Sequence, residues 1–149
     1  MTKNNPENGF SLIDLLVGLA IMALLLSVTI PSVNNYQSNL KLKSAGKELI
    51  TDLRYAQQLT ITEQVPYSIL INLANNKYEL IKMTTPTTTI KSVTLPSNVS
   101  FSSIDPQLNS MVTFNSFGGV NVAGNIYLNN DNSTSTVEIK PSGYVQATE

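Results

Sequence analysis

The chain opens on a polar stretch, MTKNNPENG, and turns apolar at once. From Phe10 to Ile30, twenty-one residues carry a single charge, Asp14, and the sixteen from Leu15 to Ile30 (LLVGLAIMALLLSVTI) carry none. At about 1.5 Å per residue a helix of that length covers roughly 30 Å, the hydrocarbon thickness of a bilayer. No face of it offers the periodic polar positions of a soluble core helix. The pattern predicts a membrane helix over Phe10–Ile30. Lys3 and the initiator amine precede it. That is a weak positive-inside signal, which places the start in the cytoplasm and the rest outside.

From Ser32 to about Thr62 the helical period continues but becomes amphipathic. Leu42, Ala45, Leu49, Leu53 and Ala56 recur at steps of three and four and form one apolar stripe. Pro31 is expected to bend the helix rather than end it. Lys43, Lys47 and Arg54 fall on another face, diluted by Glu48 and Asp52. They read as a solvated face in preference to a patch for nucleic acid or a neighbouring subunit.

Beyond Glu63-Gln64-Val65-Pro66 the pattern changes to short apolar-rich runs. Tyr67–Leu73 and Lys77–Met83, joined by Ala74-Asn75-Asn76, predict a hairpin. Thr84–Thr89 reads as an exposed loop. Lys91–Leu95, Val99–Phe101, Met111–Phe114, Asn125–Leu128, Thr136–Ile139 and Tyr144–Gln146 are further strand candidates, with Gly118-Gly119 and Asn129–Asn132 as turns. The expected fold class is α+β: a long N-terminal helix whose amphipathic half covers an antiparallel head. The tyrosines, with Phe114 and Phe117, are expected between sheet and helix.

Composition narrows the chemistry. The chain has no Cys and no His and a formal net charge of −1. Disulfides, thiolate or imidazole metal sites and His-based catalysis are therefore excluded. Gly46-Lys47 lacks the rest of a phosphate-binding loop, and Gly118-Gly119 with Gly124 lacks dinucleotide-fingerprint spacing. No enzyme is expected and no cofactor. The loop around Asp131 (Asn129-Asn130-Asp131-Asn132-Ser133-Thr134) is rich in oxygen ligands suited to Ca²⁺, but one carboxylate in an Asn-rich run reads first as a polar turn. Asn98-Val99-Ser100 and Asn132-Ser133-Thr134 match the glycosylation sequon, a common accident in Asn/Ser/Thr-rich sequence.

Asp14 remains to be explained, since an aspartate in a membrane helix costs up to about 2.5–3.5 kcal/mol and points to a partner. A cut between Gly9 and Phe10 would supply one. It would free a positive amine four residues before Asp14, and in a bundle of such helices the carboxylate of one copy could neutralise the amine of another. A cleavable secretory signal is disfavoured, because Thr29-Ile30-Pro31-Ser32-Val33 offers no small-residue site after the apolar run. An uncleaved envelope anchor would leave Asp14 without a use.

The segment Gly9-Phe10-Ser11-Leu12-Ile13-Asp14-Leu15-Leu16 resembles the prepilin cleavage and methylation motif of type IV pilins and type II secretion pseudopilins. Glu48–Glu63 (ELITDLRYAQQLTITE), Leu95–Val99, Val112–Gly118 and Val137–Val145 resemble the GspH/FimT minor pseudopilins. The resemblance implies a pilin-like fold. Its parts would be a leader (residues 1–9), a transmembrane and filament-core helix (10–31), an amphipathic half-helix (32–62) and a β-rich head (63–149). It implies cleavage after Gly9 by a prepilin peptidase, N-methylation of Phe10, Asp14 as the assembly carboxylate (the family usually has glutamate there) and a kink at Pro31. It places the chain as a single pass in the inner membrane with the head outside, and then in a filament. Its implied partners are the peptidase, other major and minor pilins or pseudopilins, the inner-membrane assembly platform, and lipid before assembly. The alternative within the family is a DNA-uptake or adhesion pilin whose head binds a ligand. Lys140 is the only basic residue in the C-terminal region, so nucleic acid is not the expected partner.

Overall fold

The computed structural model describes residues 11–130 and 132–148, and for residues 28–32 the backbone alone. Its elements are one long helix, α1 (Leu12–Glu63), and eight strands: β1 (Tyr67–Asn72), β2 (Lys77–Lys82), β3 (Thr88–Thr94), β4 (Ser100–Ile104), β5 (Met111–Thr113), β6 (Gly124–Asn129), β7 (Thr134–Ile139) and β8 (Val145–Thr148). A 3-10 turn, Pro106–Leu108, lies between β4 and β5. The chain divides into two compact units, Met1–Tyr36 and Gln37–Glu149.

In the first unit the first turn of α1 is closed by Ser11, whose carbonyl accepts the N–H of Asp14 at 3.0 Å and of Leu15 at 3.3 Å. Asp14 lies in that turn. A carboxylate is favoured there by the unpaired N–H groups and the positive end of the helix dipole. The helix runs through Pro31 without ending. Leu12, Ile13, Ile21 and Met22 are each more than half exposed, and they fall on every side of the helix. No helix among the described residues is long and apolar enough to cross a membrane. The described apolar side chains of this stretch run from Leu12 to Leu26, whereas the sequence-based span runs from Phe10 to Ile30.

The second unit holds the core. The predicted stripe is buried: Leu42, Ala45, Leu49, Leu53 and Ala56 are all at most 3% exposed. They pack with the inward residues of two four-stranded antiparallel sheets, ordered β3-β2-β1-β5 and β4-β6-β7-β8. Period-two alternation selects those residues. Tyr67, Ile69 and Ile71 come from β1, Tyr78 and Leu80 from β2, Ile126 and Leu128 from β6, Val137 and Ile139 from β7. Each strand candidate of the sequence corresponds to an observed strand. The loop expected over Thr84–Thr89 is shorter, because Thr88 and Thr89 already pair with Lys82 and Ile81 at the start of β3.

Two expectations about side chains are corrected. Asp52 is no part of a solvated face; it is 4% exposed. Of the aromatic residues, Tyr67, Tyr78 and Phe114 are buried as expected, but Tyr36, Tyr55 and Tyr144 are exposed and Phe117 is 98% exposed. The physical reason is register. Phe117 belongs to the turn after β5 and not to a strand, so no alternation carries it inward.

Candidate functional site

The processing residues Gly9 and Phe10 lie outside the described residues, as does Asp131. Pro31 is described by its helical backbone only. Beside Asp131, the buried Asn130 ties the turn to the helix: its Nδ2 donates to Ser38 Oγ at 3.2 Å and to Asn39 Oδ1 at 3.1 Å. Its Oδ1 accepts the N–H groups of Asn132 and Ser133 at 3.0 and 2.7 Å. That oxygen is thus occupied by the backbone. Among the described residues no three acidic side chains gather as a metal site.

The more informative assembly lies where two of the signature segments meet α1. The turn after β5 is built on Asn115, whose Oδ1 accepts the N–H of Phe117 at 3.0 Å and of Gly119 at 3.1 Å. Its carbonyl accepts Gly118 N–H at 2.8 Å, and its own N–H donates to Gly119 O at 2.9 Å. Gly118 sits at φ +85°, a conformation that an L side chain rarely adopts. Its carbonyl accepts a 2.6 Å bond from Gln57 Nε2 on the helix. The turn between β7 and β8 comes in alongside. Val120 N–H donates to Pro141 O at 3.2 Å, and Gly143, at φ +80°, lies so close that a Cβ there would run into the Gly118 carbonyl. Arg54 Nη2 then donates to Val145 O at 2.9 Å. Between helix and turn is an open groove of about 600 Å³ lined by Arg54, Ile61, Thr62, Ser142 and Tyr144, among others. Gln57, which also lines it, holds the carbonyl of Gly118, the residue after Phe117.

A second polar cluster joins the β3-β2-β1-β5 sheet to the helix. Asp52 accepts the phenol of Tyr78 at 2.6 Å and the ammonium of Lys91 at 2.8 and 2.9 Å, with Glu48 3.6 Å from the same lysine. Burial, reinforced by the Asp52 bond and charge, pushes the Tyr78 phenol far above the usual range. The bond to Asp52 raises Lys91 despite partial desolvation. A third set closes the helix end: Glu63 accepts Lys82 Nζ at 2.6 Å and Tyr67 OH at 2.7 Å. Those two bonds hold its carboxyl below the usual range.

Sequence reasoning missed Asp52 and Phe117. The signal for Asp52 was present, since positions 49, 52, 53 and 56 are one helical face. A carboxylate on an apolar stripe must meet a cation or a donor. For Phe117 the signal was an aromatic flanked by Asn115-Ser116 and Gly118-Gly119, turn residues that belong to no strand.

These groups hold backbone segments in place around a helix. A long N-terminal helix laid with its second half on antiparallel sheets is the architecture of the type IV pilin class, in the form taken by minor pilins and pseudopilins. The family described as "Type II transport protein GspH" matches residues 45–143, and the chain belongs to that family. Among solved structures, it is similar to the type IV minor pilin FimU of Pseudomonas aeruginosa (TM-score 0.64, 13% identity, 76% of this chain and 92% of that one). It is similar also to the minor pseudopilin EpsH from the type 2 secretion system of Vibrio cholerae (TM-score 0.60, 11% identity, 72% of this chain and 96% of that one). No individual curated protein matches it in sequence.

Proposed function

We propose that this minor pilin-like subunit is made as a prepilin, cut between Gly9 and Phe10 by a prepilin peptidase, methylated on Phe10 and placed with other pilins or pseudopilins at or near a filament tip. Before assembly, Phe10–Ile30 holds it in the inner membrane with the head outside the cytoplasm, and the assembly platform extracts it from there. The leader ends at Gly9, and Pro31 bends the helix between its two halves. Asp14 neutralises the amine of a neighbouring subunit. The head acts by contact and not by catalysis.

The observation that carries this reading is the exposed apolar surface of α1 from Leu12 to Leu26. Such a surface is stable only against lipid or other apolar helices. Intact mass and N-terminal sequence of the protein from its native membrane test the proposal. A chain beginning at Phe10 and heavier by one methyl group is expected. A chain that retains Met1–Gly9 beside an active peptidase would overturn it.

A further inference from the structure

β8 is the outer strand of its sheet, and β7 pairs with only one of its edges. Bonded and non-bonded pairs alternate along an antiparallel ladder. Lys140 N–H donates to Tyr144 O at 2.9 Å, so in the observed register the next bonded pair is Glu138–Gln146. The backbone groups of Val145 and Ala147 therefore face away from β7, onto the open edge. Val145 O is taken there by Arg54 at 2.9 Å. Ala147 is exposed, and its N–H and C=O lie on an edge that a further strand can extend.

The groove that reaches Val145 is positively charged. Arg54 is exposed within it, and Lys140 Nζ stands 5.9 Å over the ring of Tyr144, a lining residue. Lys47, exposed about two turns before Arg54, lies on the same helix face. The acids of this half of α1 are turned away: Glu48, Asp52 and Glu63 stand at least about 120° from Arg54 around the helix. Asp52 and Glu48 face Lys91, and Glu63 faces Lys82. Among the described residues no acidic side chain lines the groove. Arg54 spends an Nη2 hydrogen on Val145, and the rest of its fork fits the two oxygens of a carboxylate.

We propose that an extended acidic segment of a partner protein binds here, its backbone added to β8 at Ala147 and its side-chain carboxylate on Arg54. Main-chain pairing separates this occupant from nucleic acid, which has no backbone N–H to offer Ala147 and would find few cations for its phosphates. The proposal rests on the reading of the head as a contact surface and names the chemistry of that contact. The mass of the mature chain does not bear on it, so the two readings can fail separately.

The test uses the nitrogen-15-labelled segment Gln37–Glu149. Every buried apolar side chain among the described residues lies at or beyond Leu42, so this unit contains the whole described core and folds by itself. Two pools of capped octapeptides are the probes, both random in Ser, Thr and Val, one with a pair of fixed Glu and the other with Gln in their place. Added up to about 5 mM, the Glu pool is expected to shift the Arg54 Nε–H and Ala147 N–H signals saturably, at least about tenfold more tightly than the Gln pool. Arg54→Gln should remove the preference between the pools. Ala147→Pro deletes an edge N–H but no bond to β7, so both pools should weaken about tenfold while the core signals of Ile126 and Leu128 stay in place. No saturable shift with the Glu pool, equal affinity for the two pools, or binding unchanged by Ala147→Pro overturns the proposal. So does tighter binding of a short oligothymidylate that Ala147→Pro leaves intact, which would assign the groove to nucleic acid.

Discussion

Lys91 Nζ lies 2.8 Å from Oδ2 of Asp52 and 2.9 Å from Oδ1, so an edge strand of one sheet is pinned to the C-terminal part of the long helix through both oxygens of a carboxylate that is 4% exposed. Tyr78 OH closes the same carboxylate at 2.6 Å. Removing Asp52 leaves the Tyr78 hydroxyl buried without its acceptor, while Lys91, 41% exposed at its side chain, can turn to water. The cost is therefore below that of breaking a fully buried pair. Asp52→Ala is predicted to lose about 2–3 kcal/mol and Tyr78→Phe about 1 kcal/mol. Urea unfolding of the Gln37–Glu149 segment measures both; equal losses would contradict the arrangement.

The two turn glycines are predicted to differ. Both need φ above zero, which costs any replacement about 1 kcal/mol or more. At Gly118 the added Cβ meets the far end of the Ile61 side chain, which can move. At Gly143 it meets the Gly118 carbonyl and the Gln57 amide, and the backbone cannot yield without breaking the Gln57 bond. Gly118→Ala should cost about 1–2 kcal/mol and Gly143→Ala clearly more, about 3 kcal/mol. Thermal midpoints of the two variants check the order.

The dependence on pH has two limbs. The Lys82 and Tyr67 bonds lower the Glu63 carboxyl, so its contribution is present above the ordinary carboxylate range and lost as pH falls through its own lowered pKa. Glu63→Gln should therefore lose less stability than the wild type on acidification below about pH 4.5. At the alkaline end Tyr78 keeps its proton when folded and loses it when unfolded. Stability should then fall as pH rises above about 10, less steeply in Tyr78→Phe. Denaturation midpoints across the two ranges read both slopes; parallel wild-type and variant curves would refute them.

Asp14 is predicted to matter for assembly and not for processing. Asp14→Ala should be cut and methylated normally but be missing from sheared filaments, whereas Asp14→Glu, which keeps the charge with one more methylene, should be incorporated. Immunoblots of membrane and filament fractions distinguish these outcomes; an Asp14→Ala chain found in filaments at the wild-type level would remove the neutralising role.

Much of the fold was legible along the chain because its cues are local and periodic. The three-and-four stripe from Leu42 to Ala56 was buried as read, and the alternation in each strand candidate marked a real strand. The same cues carried the family likeness, which the match over residues 45–143 bears out. Asp52 was misread because charge was taken as a sign of solvent, when its position on the stripe was the stronger cue.

What the sequence determined by itself, then, is whatever depends on a residue and its near neighbours: an apolar helix, an amphipathic continuation, eight short strands and the turns between them. Tertiary structure alone decided how those strands divide into two sheets, that Lys91 reaches Asp52 across thirty-nine residues, and that Gln57 clasps Gly118 across sixty-one. It also decided that two glycine turns meet closely beside a groove. Pairing between distant segments depends on the shape that all the others present once packed, and no local period encodes that shape.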